Sequence, residues 1–512
     1  MRRAGLFGAV LVALAIVYLI ASGTHPAAVK SAAAAGETVA VTSVSRSCPP
    51  AAPGTGTARI TMVAMPPSAS AAKSADVGAA TLSAIPAALA SSAKSTKHAA
   101  TKPATGKNTA TKSTGTAPVT VSTPGVATMV TVPIAATGTA TATGAGAALT
   151  VTGQMAAGFA AEQANASGTG VVSCTHPSSD MWFVGTGQGA GATAIWLYLM
   201  NTGAIAASAD VTILTDTGQQ NGLSNAISVA PNQVVAENIT PFVMGSQALA
   251  LHVQTTSGQV AAAVWEGNGS GSGAWLPQTA APSTSQVIPG LTVASAPPRL
   301  FVVVPGATDA RLRVVAYTQA GTVPLFTTTP VDASAGAATP VTLASLGGSV
   351  AGLKLSAAVP FVAGVLVSGT GIGSFTAAVA PVTQQGVVAG NPATRGVTVG
   401  LLLTAPAAAA QASISVIAAD GTVTTPAGDQ SVTVAAGHTL AVAVPRPTGN
   451  TRKPFAIVIT QKTGSGPIYA ARLVTSGAGG LSGTATSLLP VLSALTEVTL
   501  PPASNSYTAV LP

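Results

Sequence analysis

Three segments of this 512-residue chain repeat one pattern at one length: Leu197–Gly218 (LYLMNTGAIAASADVTILTDTG), Leu300–Gly321 (LFVVVPGATDARLRVVAYTQAG) and Gly400–Gly421 (GLLLTAPAAAAQASISVIAADG). Each is an apolar strand, a turn of Gly, Pro or Asn, a small-residue stretch, an alternating strand and a closing Gly. Val211, Val314 and Ile414 share one offset. A period of about 100 residues suits one β-sandwich per copy. Strands further along recur too: Ile227–Ile239 aligns without a gap on Val432–Val444, and Val341–Leu353 aligns more loosely.

Composition agrees with sheet. Charged residues make up 7% and aromatics 4%, while Gly numbers 55 and Pro 36, so small β-branched residues are punctuated into short strands. The expected fold is all-β: an N-terminal transmembrane helix, a disulfide-closed β domain and tandem immunoglobulin-like β-sandwich repeats. The expected boundaries are 1–23 for the membrane segment and 24–180 for the first β domain. The repeats follow at 181–273, 274–373 and 374–480, with cap strands at 481–512. Whether the repeats stand as separate sandwiches or close into a propeller-like ring is open at this level.

Arg2 and Arg3 precede Ala4–Ala21, an uncharged apolar run near the minimum length for one crossing. The positive-inside rule places the N-terminus in the cytosol and the bulk of the chain outside. We read an uncleaved single-pass anchor in the plasma membrane, with the bilayer as its partner. A cleaved signal peptide is the rival, but the apolar core is long for one and no A-x-A site follows directly. Cys48 and Cys174 are the two cysteines, and an even pair in an exported chain reads as a disulfide. In a chain-entropy model, closing so long a loop is worth about 4–5 kcal/mol.

The net charge of +8 is concentrated. Lys73, Lys94, Lys97, Lys102, Lys107 and Lys112 lie in the stretch 66–117, which is otherwise mostly Ala, Ser and Thr with Asp76 the only acid. Most of it reads as a disordered insert, too poor in apolar bulk to offset its backbone entropy. It has no aromatics, which argues against nucleic acid as a partner. A solvated basic linker is the plainer reading than contact with anionic lipid or acidic wall polymers.

No catalytic, cofactor or metal constellation emerges. His25, His98, His176, His252 and His438 are scattered without metal-ligand spacing. Gly185–Gly191 lacks the Lys-Ser/Thr of a phosphate loop. His176, Asp180 and Ser178 or Ser179 form a nominal hydrolytic trio, better read as a braced turn after Cys174. The four Trp cluster in or just after the first repeat. Trp182, Trp265 and Trp275 are candidate glycan contacts, Trp275 foremost because it follows a Gly/Ser loop, but the core of the first repeat and its connector is the favoured place for them. Trp196 and Tyr198 share a strand face and read as core.

The run CTHPSSDMWFVG (174–185), the N-x-G turn beyond it and the later strands at Pro360-Phe-Val-Ala and Pro467-Ile-Tyr-Ala resemble an uncharacterised actinobacterial family. Its members are membrane-anchored exported β proteins known by a domain-of-unknown-function label, often encoded near an envelope glycosyltransferase. The resemblance spans about residues 37–512 and implies the cell envelope, with no activity and no catalytic residues. The expected function is therefore non-catalytic: an extracytoplasmic structural or interaction protein, with envelope glycans or a glycosyltransferase as partner. The alternative is a glycan-binding module in the Trp-rich repeat; a hydrolase ranks below both.

Overall fold

A computed structural model describes residues 38–500, apart from 54–56, 66–75, 77, 88–118, 122–127, 136–143, 166–169, 222, 224–225, 268–272, 293–296, 326–329, 345–349, 368–372, 448–452, 478 and 483. The expected membrane segment and most of the Lys-rich insert lie outside the described residues. Among those residues no helix is long and apolar enough to cross a membrane. The elements are strands and short 3-10 turns. Thr38–Ala40 and Glu497–Thr499 pair as a two-stranded sheet, which falls largely in a unit separate from residues 40–496.

Residues 40–496 hold four sandwiches, the disulfide-closed N-terminal one and three repeats. The first repeat sets the pattern with eight recurring strands: Asp180–Thr186, Ala194–Asn201, Ala207–Thr215, Ile227–Val229, Gln233–Asn238, Ala248–Ser257, Ala261–Gly267 and Gly273–Leu276, accompanied by the short strands Gly218–Gln220 and Gln278–Thr279. Strands four, three, six and one form one sheet; strands five, two, seven and eight form the other. The second repeat has the same order, with its sixth and seventh strands fused into the 17-residue strand Ala351–Val367. The third runs from Gln385–Asn391 to Thr484–Pro490 in that order.

The N-terminal region is a fourth copy. Its strands are Ser43–Cys48, Thr57–Ala64, Ala80–Ile85, Val119–Val121, Thr128–Ala135, Gly146–Thr152, Ala160–Asn165 and Val171–Ser173, with identical sheet order. Ala80–Ile85 falls inside the stretch expected to be a disordered insert, yet it pairs along its length with Gly146–Thr152. The pairings two–five and three–six are those of an immunoglobulin sandwich. Here, however, the first strand joins the sixth and the seventh joins the second. Cys48 and Cys174 are bonded, as the sequence suggested, with Cα atoms 4.4 Å apart. The bond ties the first strand to the residue after the eighth. Beside it, Ser47 N donates to Thr175 O (2.7 Å) and Thr175 N to Ser47 O (3.0 Å).

The apolar runs of the repeats are explained by burial on both faces. Along Leu197–Met200, side chains alternate: Leu197 and Leu199 enter the core of their own sandwich, while Tyr198 and Met200 point the other way. The outward pair packs on Ile85 and Ala148 of the N-terminal sandwich. Leu300 and Val302 likewise face inward, and Phe301 and Val303 meet Trp182 and Ala250 of the first repeat. In the third repeat Leu401 and Leu403 face inward while Leu402 meets the second repeat. In the N-terminal copy Ile60 and Met62 face inward, and Val63 packs on Val387 and Val458 of the third repeat. Each second-strand sheet thus covers the first-strand sheet of the preceding sandwich, and the cycle returns to its start. Eight sheets close into a ring, as blades do in a propeller. The eighth strands of the four sandwiches touch in the same cyclic order and line its centre.

The last seam has features of its own. Ala494 N donates to Gln385 O (2.8 Å), Gly158 N to Leu495 O (3.0 Å) and Val41 N to Thr496 O (2.9 Å), so residues after the final long strand span both sandwiches. Beneath them Arg472, fully buried, extends Nη1 to Glu162 Oε2 (3.5 Å) and Nη2 to Ser487 Oγ (2.9 Å). Gly390 N also donates to Glu162 Oε2 (3.2 Å). Burial pushes the Glu162 carboxyl up, while Arg472 and the backbone N–H groups beside it pull it down. Removing one partner of such a pair is far costlier than removing both. Arg472→Met alone should therefore lose about 3–5 kcal/mol in denaturant unfolding. The double variant Arg472→Met/Glu162→Gln should recover most of that loss.

Candidate functional site

The three tryptophans that are candidates for a glycan contact are buried, in keeping with the favoured core reading, and they pack at the seams between sandwiches. Trp182 is 5% exposed, Trp265 2% and Trp275 6%. Trp265 and Trp275 sit opposite each other on neighbouring strands with ring centroids 5.2 Å apart, and Tyr198 lies 5.8 Å from Trp275. That cluster packs with the N-terminal sandwich. Trp182 stacks on His252 (3.8 Å) and joins the seam with the second repeat. The physical reason is common to all three. The sheet face that would be open on an isolated sandwich is covered by the next one.

The nominal hydrolytic trio is not assembled. The Asp180 carboxylate meets His252 Nε2 at 3.1 Å, and Ser178 Oγ donates to the Asp180 carbonyl (3.1 Å). Burial lowers the His252 pKa, against the raising effect of Asp180. Burial, aided by Arg46, lowers that of His176 as well. Among the described residues no group of three His, Cys, Asp or Glu is placed to hold a metal.

Two spaces remain. The first lies by the ring's centre, between Val172, Phe183, Trp275, Leu276, Leu489 and Leu492. At about 30 Å³ it has room for little more than water. The second is an open groove of about 400 Å³ on the first repeat. Trp196, expected in the core, lines it. Tyr198 and Met200 on the same strand face are fully buried beneath the N-terminal sandwich, whereas Trp196 stands at the edge of that cover, half-buried.

The groove is built from two short turns against the second strand. Gln188–Ala190 follows the first strand and Thr240–Phe242 follows the fifth. Gln188 N donates to Val243 O (3.3 Å) and Gly189 N to Ser246 O (2.8 Å), which laces the two together. Ile195 N donates to Thr240 Oγ1 (2.8 Å), and Thr240 N to Asn238 Oδ1 (3.1 Å). Asn238 lies directly across the strand pair from Trp196. Thr193, Pro241 and Met244 complete the wall, and Met244 is 71% exposed. No lining residue is ionisable.

One buried acid near this end of the repeat is unusual. Glu266 accepts from Thr186 N (3.1 Å) and from Thr186 Oγ1. Burial raises its pKa to about 7, with the Thr186 donors and Arg299 pulling the other way. Unfolded, it ionises in the ordinary carboxylate range, so the folded state holds an extra proton between about pH 4.5 and 7. Its stability contribution is full below that window and is lost as pH rises through about 7. The difference is on the order of 3 kcal/mol. Glu266→Gln should therefore flatten the fall in unfolding free energy between pH 5 and pH 8, measured by denaturant titration at each pH.

No curated protein matches this chain. A family model described as a family of unknown function, DUF5719, matches residues 119–445. The match covers the first and second repeats in whole and the N-terminal and third sandwiches in part, and it includes the Trp196 groove. The chain belongs to this family of unknown function.

Proposed function

We propose that the chain is a non-catalytic structural and interaction protein of the cell envelope, held on the outer face of the membrane by its apolar segment at 4–21. The observation that carries this reading is the Cys48–Cys174 bond, which joins the first strand of a sandwich to the end of its last. Such structural bonds persist in oxidising compartments and are rare in the cytosol. The twin-arginine start followed by an uncharged apolar run supports the same orientation. The ring suits a presenting role, because its modules are locked together and offer fixed outer surfaces. An envelope glycan or an envelope glycosyltransferase is the partner we expect, in keeping with the resemblance to exported actinobacterial proteins.

A second reading, glycan binding by the first repeat, is favoured by the Trp196 groove and no longer by Trp182, Trp265 or Trp275. The test of the main reading is recovery of the full chain from cross-linked cells. The protein should appear in the membrane fraction with its two cysteines resistant to alkylation until reduced. Envelope polymer or a glycosyltransferase should accompany it. Recovery from the cytosol with both thiols alkylated would overturn the proposal.

A further inference from the structure

We propose that the groove beside Trp196 is a binding site for a neutral sugar residue of a glycan; this rests on the glycan-binding reading and assigns it a place and a chemistry. Trp196 is the starting point. Its neighbours on the same face, Tyr198 and Met200, are fully buried and serve the seam with the N-terminal sandwich. Trp196 stands at the edge of that cover, half-buried against the same cluster, and lines the groove with the rest of its ring. At the equivalent position, fixed by the pairing of the second strand with the fifth, the second repeat has Arg299 and the third has Gly400. The ring therefore closes at equivalent seams without an indole there.

The surroundings specify the ligand. An indole face offers an apolar platform, and the apolar face of a pyranose stacks on such a surface. Met244 supplies a second apolar lip, at 71% exposure. Polar groups stand around the platform. The Gln188 side-chain amide and the Asn238 amide nitrogen have no partner among the described residues. Thr240 Oγ1 accepts from Ile195 N, which leaves its O–H free to donate. These groups donate to and accept from hydroxyls but carry no charge. An anionic polymer finds no cation in the wall and a cationic peptide finds no carboxylate. What remains is a ligand rich in hydroxyls and apolar on one face. The volume, about 400 Å³, is toward the small end of the roughly 300–1,000 Å³ of ligand pockets. The site is also preformed, since the hydrogen bonds between its two turns hold both walls without a ligand.

The experiment uses the full chain in detergent. Affinity electrophoresis in gels cast with neutral wall polysaccharide is run beside gels with an acidic polysaccharide, and an array of neutral oligosaccharides follows. The wild-type chain should be retarded by the neutral polymer, and raising the salt should leave that retardation unchanged because no charge is involved. Trp196→Ala should weaken binding by at least about tenfold, as truncation of an aromatic anchor does. Trp196→Phe should retain part of it, and Asn238→Ala should weaken it less than Trp196→Ala. Ile205→Ser, at another exposed apolar position, should bind as wild type, and thermal melts of every variant should match wild type. Retention of wild-type affinity in Trp196→Ala would overturn the groove while leaving glycan binding elsewhere on the chain. Absence of wild-type binding to any neutral glycan would overturn both. Binding that appears only on removal of residues 88–117 would mean that the chain's own segment occupies the groove, and would also overturn the proposal.

Discussion

The whole assembly depends on one constraint: each sandwich has apolar side chains on the outside of its sheets as well as between them. A run such as Leu197–Met200 cannot satisfy both faces within its own module. Leu197 and Leu199 are covered internally, and Tyr198 and Met200 need a neighbour. Four copies, each covering the one before it, meet that need without leaving an open end. The 7% charge content follows from the same geometry, because strands buried on both faces read as nearly continuous apolar stretches.

Closure brings close contacts that small residues make possible. A side chain at Gly290 would meet Leu402 Cδ1 at 2.7 Å, and one at Gly364 would meet Val184 Cβ at 3.3 Å, each across a seam. Three seams join sandwiches that follow one another in the chain. The fourth joins the beginning to the end, and its loop-closure entropy has no help from sequence proximity. That seam contains the buried Glu162–Arg472 pair and the backbone bonds of residues 494–496. A buried ion pair is weak as a source of stability, but its geometry is demanding and so selects one register between the two sandwiches.

Much of this was legible. The three aligned copies, the all-β character and the Cys48–Cys174 bond can be read from the residues. The fourth copy was hidden because its third strand, Ala80–Ile85, is short and set between Ala-, Ser- and Lys-rich stretches that carry no periodic signal. The fate of the tryptophans was hidden for another reason. Strand alternation assigns Trp182 and Trp265 to a face, but it cannot say that another sandwich covers that face. Strand alternation puts Trp196 in the core with Tyr198 because they share a side. Only the position of the neighbouring module's edge separates them. One signal was available: LYLM, LFVV and LLLT are apolar on both sides, which already implies a second covering layer.

Closure of the ring requires the third repeat to meet the N-terminal sandwich. A Cβ built on Gly390 lies 3.7 Å from Glu162 Cβ, within the span of a disulfide. In an Arg472→Met background, which leaves no buried guanidinium unpaired, Glu162→Cys and Gly390→Cys should oxidise to a bond recoverable as a single linked peptide by mass spectrometry. If both new thiols instead react freely with a thiol reagent in the native protein and no linked peptide appears, the ring is open and the account is wrong.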